Sequence, residues 1–165
     1  MKLMNIRQIQ EADIARITEI YNWYVLNTTI TFELEVISPS EMQQRVQGKL
    51  KKYDWLVAEI DKSVIGYAYY GAYHSRAAYS HTVELSIYLA QESIGKGCGK
   101  SLYRTLIESA KNRDFRELVG IIALPNETSI ALHQKLGFEE IGVLKKVGYK
   151  FGNYLDVGIW QKSIT

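Results

Sequence analysis

Between Ser86 and Leu106 the chain reads SIYLAQESIGKGCGKSLYRTL, and the fold turns on what its middle, Ile94-Gly95-Lys96-Gly97-Cys98-Gly99-Lys100-Ser101, is built to hold. Gly99-Lys100-Ser101 matches the second half of the phosphate-binding loop of nucleotide triphosphatases, which is Gly, four residues, then Gly-Lys-Ser/Thr. The first glycine of that pattern falls at Ile94, so the turn that wraps backbone N–H groups around a phosphate lacks its permissive residue. Such proteins also need a later strand ending in an acid that holds Mg²⁺. Here that strand ends Gly120-Ile121-Ile122-Ala123-Leu124, with no acid. The triphosphatase reading fails on both counts. What remains is a glycine-rich strand-to-helix loop suited to some other diphosphate. A helix beginning near Gly99 offers unpaired N–H groups and the positive end of its dipole, and glycines before it admit a diphosphate closely. Lys96 and Lys100 add charge, and Ser101 a hydroxyl donor.

Outward from the loop, Thr82 to Leu89 reads as a strand before it, and Leu102, Leu106, Ile107 and Ala110 mark a helix after it to about Arg113. Upstream, Met4 to Ile9 is a short strand, and Gln10 to Asn27 places Ile14, Ile17, Ile20, Tyr21, Tyr24 and Val25 at helical spacing. Ser38-Pro39-Ser40-Glu41 is a capping box that opens a second helix to about Lys52. Trp55 to Ile60 and Val64 to Gly71 form a hairpin around Asp61-Lys62-Ser63. Downstream come a strand from Leu118 to Ala123, a break at Pro125-Asn126, a helix from Thr128 to Leu136 and a cap at Gly137. Phe138 to Lys146 and Tyr154 to Gln161 close the chain as two strands around a Tyr149 to Asn153 turn. This order is neither a sandwich nor a regular βαβ series, so it predicts a mixed sheet covered by helices.

The 165 residues suit one domain, and 47% hydrophobic with 23% charged residues is a globular composition. A net charge of +2 gives no general pull toward nucleic acid or an anionic membrane, so any phosphate affinity is local to the loop. The single Cys98 excludes an intrachain disulfide and fits a reducing compartment. No apolar run reaches membrane-spanning length, and the first residues lack the h-region of a signal peptide. These features predict a cytoplasmic protein. His74 and His81 lack Cys or acidic company for a metal site, so no metal is expected.

The strand from Glu84, the loop x-Gly-x-Gly-x-Gly, its helix, the next strand and Asn126-x-x-Ser129-x-x-x-His133-x-Lys135-x-Gly137-Phe138 resemble the GNAT superfamily of N-acetyltransferases. The stretches Trp55-Leu56-Val57-Ala58-Glu59, Arg76-Ala77-Ala78-Tyr79 with Thr82-Val83-Glu84, Leu124-Pro125-Asn126, and Gly148-Tyr149-Lys150 with Asp156-Val157-Gly158 resemble its phosphinothricin acetyltransferase branch. The likeness runs from about Ile6 to Gln161. It implies an α/β fold with a mixed, mostly antiparallel central sheet flanked by helices. It also implies acetyl-CoA as co-substrate, direct transfer to an amine, and a homodimer. The superfamily usually carries Gln or Arg where this chain has Ile94, a departure that leaves a backbone cradle intact.

The same resemblance assigns roles. Glu84 is the candidate base, acting directly or through water, and its apolar neighbours Val83 and Leu85 predict a buried carboxylate with a raised pKa. The backbone of Leu85, Ser86, Ile87 and Leu89 would hold pantetheine and thioester. Gly95, Lys96, Gly97, Cys98, Gly99, Lys100 and Ser101 would cradle the diphosphate, with Asn126 and Ser129 near the pantetheine. His133 stands where many members carry a Tyr acid for the departing thiolate, a job an imidazole can do; a helix-packing His is the competing reading. Arg76 and Tyr79 would meet the acceptor, an Arg fork suiting a carboxylate or phosphinate, with Phe32 and Glu33 as a wall. The acceptor class is then a small amino-acid-like molecule such as phosphinothricin, methionine sulfone or methionine sulfoximine. A protein N-terminus or a polyamine is the alternative acceptor. A non-catalytic acyl-CoA-binding domain is the alternative class, against which Glu84 speaks.

Overall fold

The computed structural model describes residues 3–165. Seven strands form one sheet: β1 (Met4–Gln8), β2 (Trp55–Ile60), β3 (Ser63–Ala72), β4 (Thr82–Leu89), β5 (Glu117–Ala123), β6 (Glu139–Lys150) and β7 (Asn153–Ser163), in the spatial order β1-β2-β3-β4-β5-β7-β6. Every neighbouring pair is antiparallel except β4 with β5. The expected mixed, mostly antiparallel sheet is therefore the one observed.

Four helices cover the sheet: α1 (Ile14–Asn27), α2 (Pro39–Gln47), α3 (Cys98–Asn112) and α4 (Glu127–Lys135). Side chains alternate across strands, and the alternation sorts the core into two layers. Ala68, Tyr70, Val83 and Leu85 join Leu102, Tyr103 and Leu106 of α3 on one face. Trp55, Val57 and Tyr67 join Ile17, Tyr21 and Tyr24 of α1 and Met42 and Val46 of α2 on the other. Tyr88 packs with this second layer, so Ser86 and Glu84, two and four residues earlier on β4, face the α1/α2 side as well.

Two expected boundaries move. The second helix ends at Gln47 instead of near Lys52: its Ser38 cap forms as read, with Glu41 N donating to Ser38 Oγ at 3.1 Å, but Gly48 stops it and residues 49–53 continue as turns. Gly adds backbone entropy that a helix interior must lose. The closing hairpin is longer than expected. β6 runs to Lys150 and the turn is only Phe151-Gly152, both at positive φ (51° and 77°), the primed geometry that matches strand twist. Its register slips between Leu144 and Gly148, where Asp156 accepts from Lys146 N at 2.8 Å and pairs with Lys145, which fills the irregularity with hydrogen bonds.

The feature that positions the site lies between the two parallel strands. β4 pairs with β5 from Thr82↔Glu117 only as far as Leu85↔Gly120, although β4 continues to Leu89 and β5 to Ala123. β3 keeps its ladder with β4 throughout, to Gly66↔Leu89. The sheet therefore opens into a wedge beyond Leu85, where β4 backbone from Ser86 to Leu89 has no β5 partner and the Leu89 carbonyl accepts from the Tyr24 hydroxyl at 2.6 Å.

Candidate active site

Two clefts meet in this wedge. One, of about 180 Å³, is walled by Ile87, Leu89, Ile94, Gly99, Asn126, Ser129 and Leu132, and is mostly apolar. The other reaches inward past Leu85, Ser86, Ile122, Ala123 and His133. Of the expected cofactor contacts, Leu85, Ser86, Ile87, Leu89, Gly99, Asn126 and Ser129 are thus brought together. Ile94 adds apolar wall.

The glycine loop ends this channel. Gly95 and Gly97 both have φ of +80°, and nothing lies within 4 Å of where a Cβ on either would stand, so each glycine is required by conformation and not by crowding. Gly97 is the N-cap of α3 and supplies no side chain, and the first intrahelical bond is Ser101 N to Gly97 O at 3.4 Å. The N–H groups of Cys98, Gly99 and Lys100 precede it and point out of the helix end. Lys96, Lys100 and Ser101 are exposed around them, while Cys98 is buried in the α3 core layer. A free helix end with two glycines before it and a narrow apolar groove leading from it fits the diphosphate and pantetheine of coenzyme A.

Asn126 has a role that the sequence pattern did not reveal: its Oδ1 accepts from Ser129 N at 3.1 Å and caps α4. His133 is 3% exposed. Its Nδ1 lies 2.8 Å from Ser129 O, which can only accept, so Nδ1 carries the proton and Nε2 accepts from Tyr103 Oη at 3.0 Å. Burial, opposed by the Ser129 carbonyl, lowers the imidazole pKa and keeps the ring neutral. Gly120 makes room for it: a Cβ there would stand 2.6 Å from Nε2.

Glu84 sits at the closed end of the wedge, one pair before the last β4–β5 pair, on the α1/α2 face. The carboxylate is half-buried and has no hydrogen-bond or ion-pair partner among the described residues. Burial raises its pKa, and the nearby charges of Lys49 and His74 pull only part of the way back. Tyr69 stands across the ladder at Ser86 and stacks on Trp55 with centroids 3.9 Å apart, giving this face a flat aromatic floor.

The expected acceptor wall divides. Glu33 is not a free ligand: Arg45 grips it from Nη1 at 3.0 Å and Nη2, and the Tyr21 hydroxyl donates to it too. The Arg45 bonds hold its pKa below the ordinary value. Phe32 lies against Gly148, where a Cβ would meet the ring at 2.4 Å, and the buried Lys150 donates to Thr31 O at 2.8 Å. The segment between α1 and α2 is thereby fastened to the end of the closing hairpin. Arg76 and Tyr79 lie on the exposed β3–β4 connection; Tyr79 packs on His74, whose charge is felt at Glu84.

Comparison with known proteins agrees in scale with this geometry. The acetyltransferase (GNAT) domain family matches residues 6–159. Among curated relatives, the phosphinothricin N-acetyltransferase of Streptomyces viridochromogenes is 37% identical over 97% of this chain and 87% of its own. The L-methionine sulfoximine/L-methionine sulfone acetyltransferase of Salmonella typhimurium is 36% identical over 98% and 95%. Among solved structures, the phosphinothricin acetyltransferase of Sinorhizobium meliloti in complex with acetyl-CoA superposes with a TM-score of 0.95 at 39% identity, covering 98% of this chain and 88% of that one. A sheet opened beside a glycine-capped helix, matched over nearly its whole length to enzymes of one kind, makes this chain a member of the GNAT acetyltransferase family, an acetyl-CoA-dependent N-acetyltransferase.

Proposed function

We propose that this chain acetylates the α-amine of a small amino-acid-like acceptor, of the phosphinothricin, methionine sulfone or methionine sulfoximine type, with Glu84 as the base. The observation that carries the reading is the half-buried, unpartnered carboxylate of Glu84 at the closed end of the wedge. Its raised pKa suits proton removal near neutrality. The names of the relatives support the acceptor class.

Acetyl-CoA supplies the activated acyl carbon, which the amine nitrogen attacks as the C–S bond breaks, giving amide, free thiol and one proton in net. The chain's own residues prepare that exchange. Glu84 takes a proton from the acceptor ammonium and leaves a nitrogen lone pair to attack. The amides of Gly95 to Gly99, with Lys96, Lys100 and Ser101, hold the diphosphate. The backbone of Leu85 to Leu89 and the Asn126 amide align the pantetheine arm, and Ile87, Leu89 and Leu132 keep water from it. His133 is better suited to support than to proton donation, because its one N–H is committed to a carbonyl and its ring is neutral. Arg76 and Tyr79 cover the acceptor from the β3–β4 connection, and Phe32 forms a wall that Glu33 and Arg45 brace.

We also propose a homodimer acting as one catalytic domain per chain in the cytoplasm. Ile141, Leu144, Val147 and Tyr149 of the edge strand β6 are exposed, and Tyr154 beside them is 69% exposed, which supports an apolar contact with a second copy. The lone Cys98 supports a reducing compartment.

The test is free-thiol release from acetyl-CoA with phosphinothricin, methionine sulfone, methionine sulfoximine, a polyamine and a short peptide. Release with the first three is expected. Release with the peptide or polyamine alone keeps the chemistry and discards the acceptor class, and binding of acetyl-CoA without release from any amine overturns the enzymatic reading.

A further inference from the structure

Besides His74 on the β3–β4 connection, the charged side chains around Glu84 are Glu33, Arg45, Lys49 and Lys150 on the α1/α2 face, and three of these four are spent. Arg45 is shared between Glu33 and Glu41, and Lys150 donates to the Thr31 carbonyl. Lys49 is different. It is half-buried, yet its ammonium makes no hydrogen bond or ion pair among the described residues; its contact is with the Tyr69 ring, 4.9 Å from the centroid. Its three N–H donors are therefore uncommitted to any protein acceptor among the described residues and free to meet an incoming acid group.

The chain has made room for this arrangement. Gly71 pairs with Glu84 in the β3–β4 ladder, and a Cβ on it would stand 3.2 Å from Lys49 Nζ, 3.5 Å from Cε and 3.7 Å from Cδ. The lysine stem therefore lies down across bare backbone next to Glu84 instead of extending into water. Had neutralising Glu84 been its task, the two would be in contact; no ion pair joins them, though each feels the other's charge. A negative group and a positive group standing apart on one floor are complementary to a molecule carrying an ammonium and an acid on a short frame.

We propose that Lys49 is a specificity-determining residue of the acceptor pocket, its ammonium receiving the anionic acid group of an amino-acid-like acceptor whose amine faces Glu84. The inference rests on the reading of Glu84 and the acceptor class given above.

The experiment compares Lys49→Gln and Lys49→Arg with the unmodified protein, using methionine sulfone and its carboxamide as acceptors and measuring KM for each and for acetyl-CoA. Lys49→Gln should raise KM for the acid roughly tenfold or more, the range of a lost charged hydrogen bond. It should leave KM for the carboxamide and for acetyl-CoA unchanged, and Lys49→Arg should recover part of the loss. Gly71→Ala, which keeps the charge but crowds its tip, should move KM for the acid in the same direction. Equal KM values for the acid in Lys49→Gln and the unmodified protein overturn the proposal. So does an equal rise with acid and carboxamide, which would make Lys49 act through Glu84. Failure of the unmodified protein to acetylate any amino-acid-like amine overturns the underlying functional reading instead, and the Lys49 proposal falls with it.

Discussion

Glu84 and His133 show how much a residue's role depends on what surrounds it. Both are side chains able to hold a proton, and both lie close to the wedge, but Glu84 has no hydrogen-bond or ion-pair partner among the described residues while both ring nitrogens of His133 are engaged. Glu84→Gln should lower kcat by roughly 10²–10⁴, the span of general-base catalysis, with KM for acetyl-CoA little changed. The base works deprotonated, so activity is lost as pH falls through its pKa. Because burial raises that pKa, the acidic limb of kcat/KM should lie above the ordinary carboxylate range and vanish in Glu84→Gln. A limb that persists in the variant would assign the proton to another group. The resemblance singles out Glu84, and its flanking Val83 and Leu85 announce the half-buried strand on which it stands. Lys49 was not readable, because nothing in Gly48-Lys49-Leu50-Lys51-Lys52 separates one lysine from three, and the bare backbone beneath it comes from Gly71, 22 residues away in the alignment of the chain.

At the scale of elements, the glycine loop and the acceptor wall contrast in the same way. The loop is local, so its spacing alone marks the turn and the helix that follows. Gly97→Ala would force an alanine to φ near +80°, costing about 1–2 kcal/mol and turning the free amides of α3 away. Weaker acetyl-CoA binding with an unchanged acceptor KM is expected from calorimetry and kinetics. The wall is assembled from parts far apart in sequence: Phe32 against Gly148, Lys150 beneath Thr31 and Arg45 on Glu33. No periodicity links these residues. Gly148→Ala places a methyl within 2.4 Å of the Phe32 ring, and should raise acceptor KM while sparing acetyl-CoA; equal KM values would detach Phe32 from the pocket. The sequence predicts a longer closing turn because nothing in it separates Tyr149 and Lys150 from Phe151-Gly152, whereas the positive φ values of the turn belong to that pair alone. Leu50 and the lysines after Gly48 favour helix locally and predict a longer second helix, but a single glycine with its turn outweighs them.

For the whole molecule, strand and helix order was legible almost throughout, since apolar period and punctuating glycines and prolines recur at each element. The order of strands in space was not: β7 lies between β5 and β6, a fact of long-range pairing. Nor was the depth of the wedge, which depends on where the single parallel ladder stops. Saturation with acetyl-CoA at a hundred times Kd should stabilise the fold by about 2.7 kcal/mol. In a chain of this size that is a rise in Tm of roughly 5–10 °C, while ATP should give none. An equal rise with ATP would place a nucleotide, not coenzyme A, at the glycine loop.

The short β4–β5 seam has a mechanical meaning. Four residue pairs, Thr82↔Glu117 through Leu85↔Gly120, are the whole of the ladder joining β1–β4 to β5–β7. Whatever lies along the open edge of β4 is therefore a splint across two leaves as well as a reactant. Acetyl-CoA bound there should stiffen the joint and coenzyme A leaving should slacken it, an effect that slower amide hydrogen exchange in β4 and β5 of the loaded protein would show.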